Sequence, residues 1–184
     1  ASFNFQVVDS GSNSAPNANI DPTPRTFTFN VNLVNDAPVG LTTASRTGNE
    51  DTSITFAASD FASLTGGATP LLLTSTSDPN DTAPPAAQGP QNNLLAVKIA
   101  SLPSNGTLTD NGAAVSVGQF IPVADITGGL LVFTPNLDFN GTPLTSFTFQ
   151  IQDDGGTLLG GADLDPTPKT MTLNIRSEEH TFEL

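Results

Sequence analysis

Apolar and polar side chains alternate in several short runs along the chain. Each run places its apolar residues on one face and Thr, Asn, Gln or Ser on the other, as a half-buried β-strand does. A further strand is predicted over residues 130–134. No segment shows sustained helical periodicity, so the pattern predicts an all-β fold. The alternating runs begin at Phe3, Phe27, Ile54, Val97, Phe147 and Met171.

Turn signals lie between these runs. Asn-Gly dipeptides begin at Asn105, Asn111 and Asn140, and this dipeptide favours tight turns between antiparallel strands. Several short strands with one apolar face each are buried most simply when two sheets pack together. We therefore predict an antiparallel β-sandwich.

Residues 2–31 recur at residues 146–175 without a gap. Fourteen of the thirty aligned positions are identical, including Asp9 with Asp153 and Asp21 with Asp165. A gapless match of this length is typical of a tandem array. It predicts that residues 1–34 are the C-terminal part of a preceding repeat and that residues 35–175 are one complete repeat.

Three segments interrupt the strand pattern. Residues 34–39 contain Pro38, which cannot continue a central strand, and we interpret them as the linker between repeats. Residues 62–93 are rich in Gly and Pro and are interpreted as an insertion, within which residues 71–73 form a short strand or an apolar patch. Residues 176–184 (RSEEHTFEL) resemble one reading frame of a sequencing adapter, so we predict a non-biological tail.

Composition excludes several functions. The chain has no Cys, Tyr or Trp, and its one His lies in the predicted tail, so thiol and imidazole catalysis have no candidate residues. We predict that the protein is not an enzyme. A formal net charge of -13 disfavours nucleic acid and anionic membranes as partners. No apolar run is long enough to span a bilayer, so no direct membrane insertion is expected.

The acidic residues gather in loops beside Gly, Pro and Asn. Calcium takes oxygen ligands from carboxylates, amides and carbonyls, while Asp also favours turns because its side chain bonds nearby backbone N–H groups. The recurrence of Asp153 and Asp165 in both copies makes them better ligand candidates than Asp154 and Asp163, whose counterparts are not acidic. Asp78 and Asp81 lie close together within the insertion.

Several motifs resemble the cadherin-like tandem repeats of giant bacterial surface adhesins. They are Asn35-Asp36-Ala37-Pro38, Asn49-Glu50-Asp51-Thr52, and Phe139-Asn140-Gly141-Thr142 followed by SFTFQIQDDGG. Residues 97–135 are similar to the chondroitin sulfate proteoglycan repeat. The resemblance implies a secreted cadherin/immunoglobulin-like module, strung end to end at the bacterial cell surface.

The same resemblance implies calcium (Ca²⁺) at the module junctions. Asp36 would be the linker ligand, Glu50 and Asp51 would open the next module's site, and Asp153 would be a loop ligand. The linker has one acid where animal cadherin junctions have several. Asp78 and Asp81 could replace the missing ligands or form a plain turn.

The resulting functional hypothesis is a stalk or spacer repeat whose partners are neighbouring repeats of the same chain. Two alternatives remain open at this stage. The module could bind other cell-surface proteins or glycans through its variable loops, or it could be a spacer that needs no ion.

Overall fold

The computed structural model describes residues 1–11, 19–30, 32, 34–65, 71–74, 77–78 and 91–178. The chain divides into two compact units, Ala1–Leu33 and Val34–Leu184. Each unit is described by itself below.

The first unit is a β-hairpin, called hairpin 1 here. Strand β1 (Ser2–Phe5) pairs antiparallel with β2 (Arg25–Thr28), with Ser2 opposite Thr28. Four phenylalanines on one face pack against each other, with ring centroids 4.8 to 6.1 Å apart. They are nevertheless 39% to 50% exposed. This Phe face consists of Phe3, Phe5, Phe27 and Phe29.

The second unit contains two main sheets, a small two-stranded sheet and short helical turns. A five-stranded sheet has the order β10-β7-β12-β13-β3, and a four-stranded sheet has the order β4-β11-β8-β9, while β5 pairs with β6. The strands are β3 (Ala44–Asn49), β4 (Ile54–Thr55), β5 (Leu64–Thr65), β6 (Leu72–Leu73), β7 (Leu94–Ile99), β8 (Gly106–Asp110), β9 (Ala113–Ala114), β10 (Phe120–Pro122), β11 (Leu131–Pro135), β12 (Gly141–Asp153) and β13 (Lys169–Arg176); the helices are α1 (Val123–Thr127) and the 3-10 turns Ala58–Asp60 and Leu158–Gly160.

The prediction of an all-β fold is confirmed, but the sheets are not purely antiparallel. Strand β3 runs parallel to β13, with Ala44 opposite Met171 and Asn49 opposite Arg176. A parallel pair needs a crossover connection, and here the rest of the module between the two strands supplies it. The alternation of apolar residues cannot reveal strand direction, which explains why the sequence pattern did not predict this pair.

The core is built from the alternating residues of both main sheets. Phe147 and Phe149 of β12 meet Phe56 and Phe61 edge to face, at centroid distances of 5.6 and 5.0 Å. All four rings are at most 1% exposed. Fully burying such a side chain contributes roughly 1.5 to 3 kcal/mol, so these aromatic contacts are a substantial part of the module's stability.

The predicted turns and the predicted insertion take definite positions. Asn111 and Gly112 connect β8 to β9 with φ values of 48° and 76°, as expected for an Asn-Gly hairpin turn. In the insertion, Leu71 and Leu73 are buried, and β6 pairs with β5. Residues 66–70, 75–76 and 79–90 lie outside the described part of the chain.

Strands β12 and β13 form a second hairpin, called hairpin 2 here, that reproduces the strand register of hairpin 1 and several of its hydrogen bonds. The four residue pairs of hairpin 1 recur in hairpin 2 at the sequence offset of the repeat, from Ser146 opposite Thr172 to Phe149 opposite Lys169. Polar contacts recur as well. Gln6 donates to the backbone carbonyl of Asp21, as Gln150 does to that of Asp165. The backbone N–H of Thr23 donates to the side-chain carboxylate of Asp21, as that of Thr167 does to Asp165.

Candidate metal centre

Asp153 ends β12 as a buried carboxylate with one unsatisfied oxygen. Its Oδ1 accepts hydrogen bonds from Asn35 Nδ2 and from the backbone N–H of Gly155, both at 2.9 Å. Its Oδ2 is buried and has no hydrogen-bond partner among the described residues. The side chain is 0% exposed. A buried acceptor without a donor is costly, so this oxygen is positioned for a ligand that donates a proton or carries positive charge.

Burial and neighbouring charge act together on Asp153. The pKa of Asp153 is raised to about 6. Burial is the largest cause, the hydrogen bonds from Asn35 and Gly155 oppose it, and the negative charges of Asp78 and Asp163 add to it. Asp78 is also 0% exposed. Carboxylates that share a buried site disfavour each other's ionisation, and a cation would remove that penalty.

Asn35 connects the linker to this site. Besides Asp153, its Nδ2 donates to the carbonyls of Gly156 at 3.1 Å and Ala162 at 2.8 Å. Its Oδ1 accepts a short hydrogen bond from Asn92 Nδ2. The linker is therefore fixed to the loop that follows β12, and the amide nitrogen of Asn35 faces the carboxylate of Asp153.

Residues of the insertion also contribute to the surroundings of Asp153. Asp78 Oδ2 accepts a hydrogen bond from the backbone N–H of Asn92 at 2.8 Å, which joins two described parts of the insertion. Asn93 donates to both oxygens of Asp154, at 2.7 and 2.8 Å. The neighbouring Asp163 accepts from Gln152 Nε2 at 3.0 Å. We call Asn35, Asp78, Asn92 and Asp153 the linker-end cluster.

Asp165 is buried too, but N–H donors and a lysine occupy its oxygens. Oδ2 accepts the backbone N–H of Gly40 at 2.8 Å, and Oδ1 accepts that of Thr167 at 2.9 Å. Lys169 Nζ lies 3.3 Å from Oδ2. These contacts neutralise the charge and hold residue 40 against the start of β13, so the structure gives Asp165 an anchoring role.

Glu50 and Asp51 lie at the other end of the 13-residue strand β12. Glu50 Oε2 accepts from Asn140 Nδ2 at 2.8 Å, and its Oε1 accepts from the backbone N–H of Glu178 at 2.8 Å. Ser177 Oγ is 3.2 Å from the same oxygen. Asp51 Oδ1 accepts the backbone N–H of Asp138 at 3.1 Å. This exit-end cluster, Glu50 with Asp51, therefore surrounds the point where β13 leaves the sheet.

The predicted site residues thus divide between the two ends of the module. Asp78 and Asp153 come together at the linker end, Glu50 and Asp51 at the exit end, and Asp36 is exposed in the linker. Asp81 lies outside the described residues. Among the residues that the structure describes, no group of three or more acidic or histidine side chains is arranged to hold a metal ion.

Sequence reasoning missed the two asparagines of the linker-end cluster. Asn35 stands within the recognised linker motif, and Asn92 lies at the end of the insertion. The sequence gives their chemistry as amide oxygens, but the contact between residues 35, 92 and 153 depends on long-range packing. In the described part of the chain, no helix combines the length and the apolar character that crossing a membrane requires.

Comparison with known proteins adds no relative. No family model, no curated protein and no solved structure matches the chain.

Proposed function

We propose that this chain is a non-catalytic structural repeat of a large secreted or surface-anchored bacterial protein, acting as a spacer in an adhesion stalk. The observation that carries the proposal is the recurrence of hairpin 1 in hairpin 2. The two agree in strand register and in side-chain hydrogen bonds. A unit repeated at this level of detail is the mark of an array in which modules follow one another along the chain.

The finer fold in this proposal is a cadherin/immunoglobulin-like β-sandwich. The edge-to-face contact of Phe56 with Phe147, and the enclosure of Leu131 and Phe133 in the same core, support it. Residues from the four-stranded and five-stranded sheets share that core, as the two layers of a sandwich do. The absence of Cys and the strong negative charge suit an extracellular bacterial stalk.

Calcium is the proposed ligand of the linker-end cluster. Asp153 and Asp78 supply buried carboxylates. Asn35 bonds Asp153 through Nδ2 and Asn92 bonds Asp78 through its backbone N–H, so each asparagine would turn its side-chain oxygen to the ion when calcium binds. Calcium takes carboxylate and amide oxygens and tolerates irregular geometry. It would meet the unsatisfied Oδ2 of Asp153 and offset the repulsion between the two carboxylates.

The exit-end cluster would contribute to the next junction. At the offset that relates the hairpins, Asn35 and Asp36 would recur directly after position 178. Glu178 itself lies in the predicted tail and stands at the position that Val34 holds in the repeat. The backbone N–H of Glu178 already bonds Glu50. In an array of this period, the Asp36 of the following repeat would therefore arrive close to Glu50 and Asp51, which is how the proposal brings acids from two modules together.

Thermal unfolding with calcium and with chelator tests the metal proposal. A ligand at about 100 times its dissociation constant adds roughly 2.7 kcal/mol to the folded state. We expect calcium to raise the Tm of the intact chain, and we expect Asp153→Asn to abolish that rise. In chelator, the same variant should melt higher than the unaltered chain because it removes a buried, repelled charge.

Asp9→Asn is the matched control. Asp9 is the repeat counterpart of Asp153 and accepts the equivalent hydrogen bond from Gly11 at 2.7 Å, but it is exposed. It should leave the calcium response unchanged. A chain whose Tm is the same in millimolar calcium and in chelator would refute the metal proposal while leaving the spacer role standing.

A further inference from the structure

The linker end of the module carries a pair of exposed leucines. Leu158 is 84% exposed and Leu159 is 69% exposed, and both lie on the 3-10 turn between β12 and β13. The loop that holds them is closed around the linker, because the backbone N–H of Ala162 bonds the carbonyl of Asn35 at 2.9 Å. The leucines therefore belong to the loop through which the chain enters the module.

Leu159 adopts a backbone conformation that leucine rarely takes. Its φ of 58° and ψ of 20° lie in the left-handed region, which is unfavourable for a residue that has a Cβ. Because the side chain is exposed, it gains little packing from its own module to offset this strain. Backbone strain is concentrated where proteins bind other groups, so the turn points to a partner outside the module.

The exit end of the module carries a second apolar pair. Leu137 is 72% exposed and Phe139 is 48% exposed, just before β12 begins. Between them, the backbone N–H of Asp138 bonds Asp51 of the exit-end cluster at 3.1 Å. The same cluster bonds the carbonyl of Arg176 through a backbone N–H at 2.9 Å. The pair is therefore tied to the point where β13 leaves the sheet.

The linker is too short to keep the two ends apart in an array. At the offset that relates the hairpins, Arg176 occupies the position of Asn32. Asn35 follows three residues later and is held within the next module by Asp153. Three extended residues reach about 11 Å, so the exit of one repeat must lie close to the entry of the next. Val34, which is 43% exposed, lies in this short stretch and adds another apolar side chain.

We propose that Leu158 and Leu159 of each repeat pack against Leu137 and Phe139 of the repeat before it. We call this the junction contact, and it rests on the array in the proposed function. The linker selects the partner, because it brings the exit end of a neighbouring repeat to these leucines. End-to-end packing of this kind is how successive repeats stabilise one another. The contact is apolar and needs no calcium.

The test uses a two-repeat protein, in which residue 175 is followed by a second copy that begins at residue 32. The junction variant carries Leu158→Ser and Leu159→Ser in the second repeat. The matched control carries the same changes in the first repeat, where no copy of Leu137 and Phe139 precedes them. Local effects of the substitutions are then the same in both proteins, and only the junction differs.

Thermal unfolding is followed by circular dichroism in chelator, so that calcium plays no part. Sodium chloride at about 0.5 M shortens the range of repulsion between the acidic clusters to roughly 4 Å. We expect the junction variant to melt at least about 3 °C below the matched control, because only the variant loses an interface between repeats. Equal Tm values in these two proteins would overturn the proposal.

A second pair of substitutions identifies the partner surface. Leu137→Ser with Phe139→Ser in the first repeat should lower the Tm relative to the same changes in the second repeat, where they lie at the free end. Combined with the junction variant, these changes should lower the Tm little further, because the contact is already lost. Two decreases that simply add would overturn the proposal, since the two pairs would then not touch.

The unaltered two-repeat protein separates this proposal from the array on which it rests. A second repeat that stays unfolded, seen as a β-sheet signal no larger than that of the single chain, would refute the repeat boundaries and the junction contact together. Two folded repeats without a junction effect would overturn the junction contact alone. Neither result affects the calcium test on the single chain.

Discussion

Asp9 and Asp153 are the same residue of the repeat in two different surroundings. Asp153 ends β12 and Asp9 lies beyond the end of β1, and each accepts the backbone N–H of the glycine two residues later. Only Asp153 is buried and faces the charge of Asp78. The hairpin sequence alone therefore determines the local turn, whereas the raised pKa of Asp153 depends on residues of the linker and the insertion.

This difference predicts how stability depends on pH. The folded chain holds a proton on Asp153 up to a pKa of about 6 because of burial and neighbouring charge, whereas an unfolded Asp loses it near 3.9. The folded state thus binds the extra proton between those values, and its stability falls as pH rises from about 4 to 6. In chelator, we expect a loss of about 1 to 3 kcal/mol across this window, measured by urea unfolding.

Two comparisons isolate Asp153 as the cause. Asp153→Asn should flatten the profile between pH 4 and 6, whereas Asp9→Asn should keep the slope of the unaltered chain. Saturating calcium should reverse the slope, because a bound cation favours the ionised carboxylate and protons then compete with it. If the stability of the Asp153→Asn chain falls equally between pH 4 and 6, other carboxylates cause the effect.

At the scale of elements, the sequence predicts the strands in which buried apolar residues alternate with exposed polar ones. The runs at Val97, Phe147 and Met171 became β7, β12 and β13. Strand β3 was missed because its sequence, ASRTGN, is mostly polar and exposes alternate residues at a sheet edge. Its pairing with β13 comes from the tertiary fold, and local propensity is weak at such positions.

The same limit applies to the candidate site. Asp78 and Asp153 were both predicted as ligands, and the structure brings them within electrostatic reach of each other. Asp165 was predicted from the same recurrence, yet Gly40, Thr167 and Lys169 satisfy its carboxylate. Recurrence in a repeat identifies a residue that the fold needs. It does not distinguish a ligand from an anchor.

The pairing of β8 with β11 predicts a strict requirement for glycine at residue 106. A Cβ there would lie 2.6 Å from the carbonyl oxygen of Thr134 and would also overlap the buried ring of Phe133. Gly106→Ala should therefore lower the free energy of unfolding by about 1 to 3 kcal/mol through overpacking. Urea unfolding of the two chains measures the loss.

Gly118→Ala is a useful comparison because its Cβ would meet nothing within 4 Å, while its φ of 86° is strained for alanine. It should cost about 1 kcal/mol or more for a backbone reason alone. Phe133→Leu should recover part of the loss in the Gly106→Ala chain and none in the Gly118→Ala chain. Equal coupling in both backgrounds would show that overlap with Phe133 is not the cause.

At the scale of the whole molecule, the acids at the two ends of the module matter only in an array. Glu50 and Asp51 surround the exit of β13, and Asn35, Asp78 and Asp153 surround the entry. One repeat joined to the next would bring an exit-end cluster to a new linker, where calcium could bridge oxygens from both. A bridged junction loses hinge freedom, so the calcium-bound array should be stiffer.

A two-repeat protein, made by following residue 175 with a second copy that begins at residue 32, tests this expectation without the predicted tail. Small-angle X-ray scattering should show a longer and narrower distribution of distances in calcium than in chelator. Glu50→Gln in the first repeat should abolish that change because it removes a carboxylate at the junction. The same substitution in the second repeat lies at the free end and should have no effect. If both variants respond to calcium alike, the stiffening does not come from the junction, and Glu50 serves only to hold the end of β13.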